Sequence, residues 1–394
     1  MNREEVSRFI DGILDSLKQM SDQIFDYAEL SGEEYRSSAL LEDFLESHGF
    51  AVERGIAGLP TAFRAVYQQG EGGPSFGLLA EYDALSMGHG CGHHMQGPAI
   101  AGAALCIREL AGSRPCRVVV YGTPAEEAIG GKIIMQEKGC FQDIDIALMM
   151  HASPTTCVDV KCMALEDFRV TFRGVSAHAA IAPDKGRSAL DAALLSFQGI
   201  EFMREHVPED TRMHYTILDA GGPANVVPEK ATAEYTLRSY STDTLKGITS
   251  RFYDVIKGAA LMAGVQYDME RDNPFMAKIP CRQLNDLVMK YAAAFEAPRL
   301  SPPREKTGST DFGNVMYFVP GTCIRIAFAK ETSAAHSQDF LDDGKTENAR
   351  RAIGLSAKIL AAACLELLED PAQLTRIREE FDANKKAAAA AAQV

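Results

Sequence analysis

The chain has 394 residues, more than one hydrophobic core ordinarily serves, so two domains are expected. Apolar residues make up 46% of it and charged residues 24%, the profile of a globular protein; a net charge of −14 with no Lys/Arg cluster argues against nucleic acid as a partner. The N-terminus MNREEVSRFIDGILDSL lacks a basic stretch followed by an apolar one, and no apolar run approaches the ~20 residues that span a bilayer, so the expectation is a cytoplasmic protein without membrane contact.

Nine cysteines, an odd number without framework spacing, read as reduced thiols in a cytosolic enzyme. Residues 2–28 predict a helix. Val6, Ile10, Ile13, Leu17 and Ile24 recur at helical spacing, and Asn2 with Glu5 can form a capping box. A second helix over about 33–48 stops at Gly49, and AVERGI and TAFRAVY read as strands. SFGLLAEYDAL, CRVVVYGTPAEEA and IDIALMMHAS are apolar strands, each ending in acids or a histidine, and GHGCGHHMQGPAIAGAALCIREL is a Gly-rich entry into a helix. Strands of this kind separated by helices predict an α/β sheet with its site at the strands' carboxyl ends.

Near residue 165 the pattern changes. LEDFRVTFRGV alternates apolar and polar, a helix over Ser188–Glu205 follows, then MHYTILDAGG, KATAEYTLRSY, a helix over about 242–263 and VQYDMER. Two strand–helix–strand units predict a small α+β open-faced sandwich. The expected division is 1–164 plus 280–394 for the larger domain, with 165–279 inserted. GTCIRIAFA is the clearest strand after the insertion, and KKAAAAAAQV is a low-complexity tail read as a frayed helix end.

Four segments place metal-competent side chains at strand ends or loops. Cys91-Gly92-His93 offers thiolate and imidazole two residues apart, and the start of a helix together with a nearby cation is expected to lower the Cys91 thiol pKa. Glu126-Glu127 follows an apolar strand; adjacent acids on extended backbone point apart, so one can bind metal while the other serves as general base. His151 closes the run IALMM, and His336 lies in SAAHSQDF. Each is weak alone, and their co-occurrence is what points to a metal site.

The ordered set EYDAL, GHGCGHH, GTPAEE, MMHAS, GVSAHAAIAPDKG, GGPANVVP, STDFGNV and AHSQDF resembles the aminoacylase/carboxypeptidase-type metallopeptidases of peptidase family M20. The likeness is to the amidohydrolase branch in which a cysteine replaces the bridging aspartate, including aminobenzoyl-glutamate hydrolase-like proteins, and it runs from about residue 27 to about 345. The resemblance implies a catalytic α/β domain with a central mixed sheet flanked by helices, interrupted by a lid domain that mediates homodimerisation. It implies that Cys91 bridges two metal positions, that His93 and His151 complete one, and that Glu127 and His336 complete the other; one or two divalent ions are expected, the thiolate leaning toward zinc while carboxylate and imidazole accept manganese or cobalt. Asp83 is then an acid orienting a ligand, Glu126 the general base, and His178 an oxyanion donor reaching in from a neighbouring subunit. Asn225, Arg238 and Thr310 map to substrate-holding positions, Arg238 suiting a carboxylate. His94 stands where this branch usually has Asp or Asn, and reads as a substrate contact or a competing ligand.

The implied activity is hydrolysis of the amide C–N bond of an N-acyl amino acid, an aryl-amide or a small peptide, the substrate being a carboxylate-bearing small molecule. The alternatives are hydrolysis of a non-peptide C–N bond (an aromatic amine, ureide or carbamoyl group), motivated by His94 and the short loops around the site, and a non-catalytic dimeric metal- or ligand-binding module.

Overall fold

The computed structural model describes residues 2–391. The N-terminal part begins with α1 (Arg3–Tyr27), capped by the Asn2 side chain accepting from the Glu4 N–H at 3.0 Å, and α2 (Tyr35–Ser47). The bond reaches Glu4, so the reciprocal box with Glu5 is not what caps the helix. β1 (Ala51–Arg54), β2 (Phe63–Gln69), β3 (Ser75–Ala80), α3 (Gln96–Leu110), β4 (Cys116–Gly122), α4 (Gly131–Glu137), β5 (Ile146–Ser153) and β6 (Cys157–Val158) follow.

Next come β7 (Ala164–Arg173), α5 (Ala189–Arg204), β8 (Arg212–Asp219), β9 (Lys230–Ser239), α6 (Thr242–Ala263) and β10 (Gln266–Arg271). The chain ends with α7 (Arg282–Ala294), α8 (Phe312–Met316), β11 (Gly321–Ala327), α9 (Gln338–Asp343), α10 (Glu347–Glu369) and α11 (Pro371–Ala391). The alanine run is thus helical to Ala391; the last three residues of the tail lie outside the described ones.

Two compact units emerge, the larger spanning residues up to Cys162 and Lys278–Lys386, the smaller Met163–Ala277. The larger holds a seven-stranded mixed sheet in the order β1-β2-β4-β3-β5-β11-β6. Its centre is parallel: β3 pairs with β4 and β5, and β5 with β11, so four strands send their carboxyl ends to one edge. Alternate residues of these strands enter opposite cores, as the two-residue period of a strand requires. Leu78, Val118, Val120, Leu148 and Met150 join a core with α1, α3 and α10, while Leu79, Val119, Tyr121, Ala147 and Met149 join one with Met135, Phe312 and Val315. Burial on both faces is why β3 and β5 read as unbroken apolar runs.

The smaller unit is a four-stranded antiparallel sheet in the order β10-β7-β9-β8. Phe168, Val170 and Phe172 of β7 alternate inward against Phe252 and Ile256 of α6 and Ala192 and Ala193 of α5. β8 is an edge strand, and Tyr215, Ile217 and Leu218 on it are exposed.

Candidate metal centre

β3, β4 and β5 each hand over a short polar segment where the parallel sheet ends. Past β3 come Glu81 and Asp83, both buried; past β4 come Glu126 and Glu127; near the end of β5 stands His151. Cys91 and His93 lie in the turn before α3. Gly92 has φ +82°, and a Cβ there would sit 2.4 Å from the Ala152 side chain, so only glycine lets this turn press against the residue next to His151. His336 is itself left-handed at φ 64° and is held by its N–H donating to the Gly90 carbonyl at 2.8 Å. Ala125, also left-handed at φ 60°, aims Glu126 and Glu127; such strained non-glycine backbone concentrates at functional sites.

The five donors converge. Cys91, His93 and His151 present ligand atoms within 4.8 Å of one another, as do Cys91, Glu127 and His336, so the two triplets share the thiol. Cys91 Sγ is 3.6 Å from His151 Nε2, and Glu127 Oε1 lies 3.9 Å from His93 Nε2 and 3.4 Å from His336 Nε2. Asp83 orients the set. Its Oδ1 accepts from His93 Nδ1 at 3.0 Å, and its Oδ2 accepts from the Glu127 N–H at 3.0 Å and from Ser31 at 2.7 Å. His151 Nδ1 likewise donates to the Ala152 carbonyl at 2.8 Å, which leaves Nε2 of both rings facing inward.

The electrostatics call for a cation. Among the described residues, His93 Nε2 and Glu127 Oε1 are buried atoms without a well-aligned hydrogen bond, although Glu81 Oε2 lies 3.2 Å from Nε2 and His336 Nε2 lies 3.4 Å from Oε1. Burial would hold His93 neutral, yet Cys91, Glu81 and Asp83 outweigh it and push its pKa well above the ordinary imidazole value. Positive charge is therefore favoured where Nε2 points, and a divalent ion can take the proton's place. His151, by contrast, is driven down to about 3 by burial and then by the Arg325 charge, so it offers a neutral ring. Thiolate, imidazole and carboxylate together suit a divalent ion.

The Cys91 thiol departs from expectation. α3 begins only at Gln96, too far along for its dipole to act, and burial pushes the thiol pKa up to about 12. Only a bound cation would make the thiolate the favoured form. His94 departs as well. It is fully buried, donates from Nε2 to the Gly344 carbonyl at 2.9 Å, and stands edge-on to Phe25 with ring centroids 4.9 Å apart. It does not line the cavity and contacts no donor, so its reading as a substrate or competing metal contact is withdrawn.

Sequence reasoning missed a buried ionic network behind the site. Lys132 Nζ donates to Glu81 Oε1 at 2.6 Å and to Asp311 Oδ1 at 2.7 Å. Glu81, Glu126 and Asp311 bring carboxylate oxygens within 4.8 Å of each other. Burial first, then the Glu81 and Asp311 charges, raise the Glu126 pKa well above the usual carboxylate range. The acids within EYDAL and STDFGNV could have signalled Glu81 and Asp311; nothing about GGKIIMQE marks Lys132.

The donors open onto a cavity of about 300 Å³ lined in part by Cys91, Glu126, Glu127, His151, Thr310 and His336. His178, Asn225 and Arg238 belong to the smaller unit. His178 and Asn225 lie exposed on loops bridged by His178 and Val226, and Arg238 sits on β9 opposite Leu165.

Residues 165–261 match the M20 peptidase dimerisation domain. The chain is 33% identical to the Xaa-Arg dipeptidase of Mus musculus over 393 residues, covering 94% of this chain and 90% of that protein. It is 29% identical to one of the two p-aminobenzoyl-glutamate hydrolase subunits of Escherichia coli K12, covering 96% of this chain and 95% of that one. The fold is shared with the Bacillus subtilis YXEP protein, a dinuclear metal-binding peptidase, at a TM-score of 0.72 and 18% identity over 91% of this chain and 99% of that one. This chain belongs to the M20 peptidase family and is a hydrolase of amide C–N bonds.

Proposed function

We propose that the protein hydrolyses an N-acyl amino acid, an aryl-amide or a small peptide, with Glu126 as general base and one or two divalent ions held by Cys91, His93, Glu127, His151 and His336. The observation that carries this is the sharing of Cys91 by two donor triplets with Glu126 alongside. A divalent ion bound there supplies Lewis acidity and lowers the pKa of water. Glu126 takes the proton of the attacking water and returns it to the leaving nitrogen; its raised pKa suits a carboxyl that must hold that proton between the two steps. Asp83 fixes the His93 tautomer and the Glu127 backbone.

We assign residues 165–279 to a lid that also dimerises. The exposed edge strand β8 supports this, because an open edge carrying Tyr215, Ile217 and Leu218 invites pairing with a second copy. His178 from that lid, contributed by the neighbouring subunit, is our oxyanion donor, and Asn225, Arg238 and Thr310 hold substrate. All nine cysteines are free, which suits the cytoplasm. The relatives' names leave open whether the substrate's end group is cationic, as in an arginine dipeptide, or anionic, as in a glutamate amide.

Of the two motivations for the non-peptide alternative, His94 and the short loops around the site, His94 is turned away from the cavity. The binding-module alternative needs a lost donor or base, and none is lost. Glu126→Gln should reduce kcat about 10²–10⁴-fold while metal content stays at the wild-type level. Undiminished turnover in that variant would reject the mechanism.

A further inference from the structure

One wall of the cavity is cationic. Among the described residues, Arg304, Arg325 and Lys278 line that wall together with a single carboxylate, Asp159. Asp159 Oδ1 accepts from Arg304 Nε at 2.6 Å and its Oδ2 from Arg325 Nε at 2.9 Å. Lys278, itself buried, donates from Nζ to the Asp159 backbone carbonyl at 3.1 Å, a neutral partner. Three cations thus face one carboxylate in a wall mostly out of water, where uncompensated charge is costly. Burial holds the Lys278 pKa below its ordinary value, as befits a cation without its own counter-ion.

The wall is also joined to the metal donors. Arg325 on β11 is the register partner of His151 on β5. Arg325 and His151 therefore stand side by side on the same face of the sheet, and both line the cavity. The backbone fixes this wall: Arg304 donates its N–H to the Val158 carbonyl at 2.9 Å, and Val160 donates to the Arg304 carbonyl at 3.1 Å.

From this geometry we infer that Arg304, Arg325 and Lys278 form an anion subsite that takes a carboxylate of the substrate, making this an amidohydrolase for acidic substrates that rejects an Arg or Lys side chain there. The inference rests on the amidohydrolase reading above and deepens it. It places carboxylate recognition on the same unit as the metal donors, in addition to any role of Arg238. The arginines already engage Asp159 through Nε, which pre-orients both guanidinium planes; Arg is suited to such planar carboxylate contacts.

The carboxylate can be the substrate's terminal one or one on its side chain, and matched pairs separate the two. With the metal-loaded full-length protein, kcat/KM is measured for N-benzoylglutamate against N-benzoylglutamine, for N-benzoylglycine against N-benzoylglycinamide, and for N-benzoylarginine. We expect at least tenfold preference for the acid in one pair, and N-benzoylarginine disfavoured to a similar degree in the side-chain case. Arg304→Gln is the gentlest variant because it leaves Asp159 paired with Arg325, and it should shrink that acid-to-amide ratio at least tenfold. Lys278→Met should shrink it too, with thermal unfolding reporting whether each variant is folded.

Calorimetric binding of glutarate, against glutaramide, provides a readout without turnover, at metal content verified equal in wild type and variants. If no amide is hydrolysed but glutarate binds the wild type and is lost in Arg304→Gln, the hydrolytic reading falls and the anion subsite stands. If the amides are hydrolysed with no acid preference, or with one that survives both substitutions, the subsite is overturned while the hydrolase remains.

Discussion

Glu34 accepts the backbone N–H of Ala125 at 2.8 Å, across 91 residues of sequence. Its other oxygen accepts from Thr61 at 2.8 Å, so a buried carboxylate pins the left-handed residue that aims the Glu126-Glu127 pair. Glu34→Ala leaves the Ala125 N–H unsatisfied, which costs about 1–3 kcal/mol, and frees the strained turn. The expected outcome is a fall in kcat of at least tenfold, larger than in Glu34→Gln, whose amide oxygen can still accept. Steady-state kinetics beside denaturant melts check this; equal activity in wild type and Glu34→Ala would remove the positioning role.

Gly92 carries a similar constraint by a different route. An added Cβ meets the Ala152 methyl at 2.4 Å on a backbone at φ +82°, so both the contact and the conformation resist it. Gly92→Ala should destabilise the protein by about 1–3 kcal/mol and push Cys91 and His93 off their positions. Metal stoichiometry measured on the purified variant should drop below that of wild type. A variant with full metal content and wild-type stability would show the turn has room that the close packing denies.

The apolar strands β3, β4 and β5 were legible because burial on both faces leaves no polar alternation, and each announced its site by ending in acids or histidine. The five side chains that cluster, Cys91, His93, Glu127, His151 and His336, could be named from strand ends, loops and family resemblance. Lys132 could not, since a lysine at a helix start is ordinarily solvated and only the fold shows it enclosed by Glu81 and Asp311. Arg325 was hidden inside a strand that reads as apolar, its partner Asp159 lying 166 residues away. His94 misled for the opposite reason. Its place beside His93 suggested the site, but the turn at His93–Met95 sends it back toward Phe25 and Gly344.

Asp159 makes stability depend on acid pH in a defined direction. Burial alone would raise its pKa, but the Arg325 charge and the bonds with Arg304 outweigh burial and hold it below the ordinary aspartate value. A carboxylate depressed in the folded state stabilises fully above its unfolded pKa, near 3.9, and loses that contribution as pH falls through the lower folded value. Asp159→Asn strands two arginines and should cost on the order of 3 kcal/mol near neutrality. Denaturant melts of wild type and variant should show this gap constant above about pH 5 and narrowing below about pH 4. A gap that widened on acidification would contradict the pairing.

Metal removal tests the centre from the side of folding. Any ion that binds the native donors and not the unfolded chain stabilises by RT ln(1 + [L]/Kd), about 2.7 kcal/mol at a hundredfold excess over Kd. Chelation should therefore lower Tm, and restoring zinc or manganese should recover it. Because burial holds the Cys91 thiol up to about 12, binding must displace its proton. Raising pH should then tighten apparent affinity, and proton release should accompany titration with metal. Cys91→Ala removes the donor common to both triplets, so the metal-dependent shift in Tm should vanish, while His336→Ala, which touches one triplet, should retain part of it. Calorimetry in buffers of differing ionisation enthalpy, run on both variants, separates these outcomes. A full Tm shift in Cys91→Ala would mean that the thiol is a bystander and that the two triplets are not joined through it.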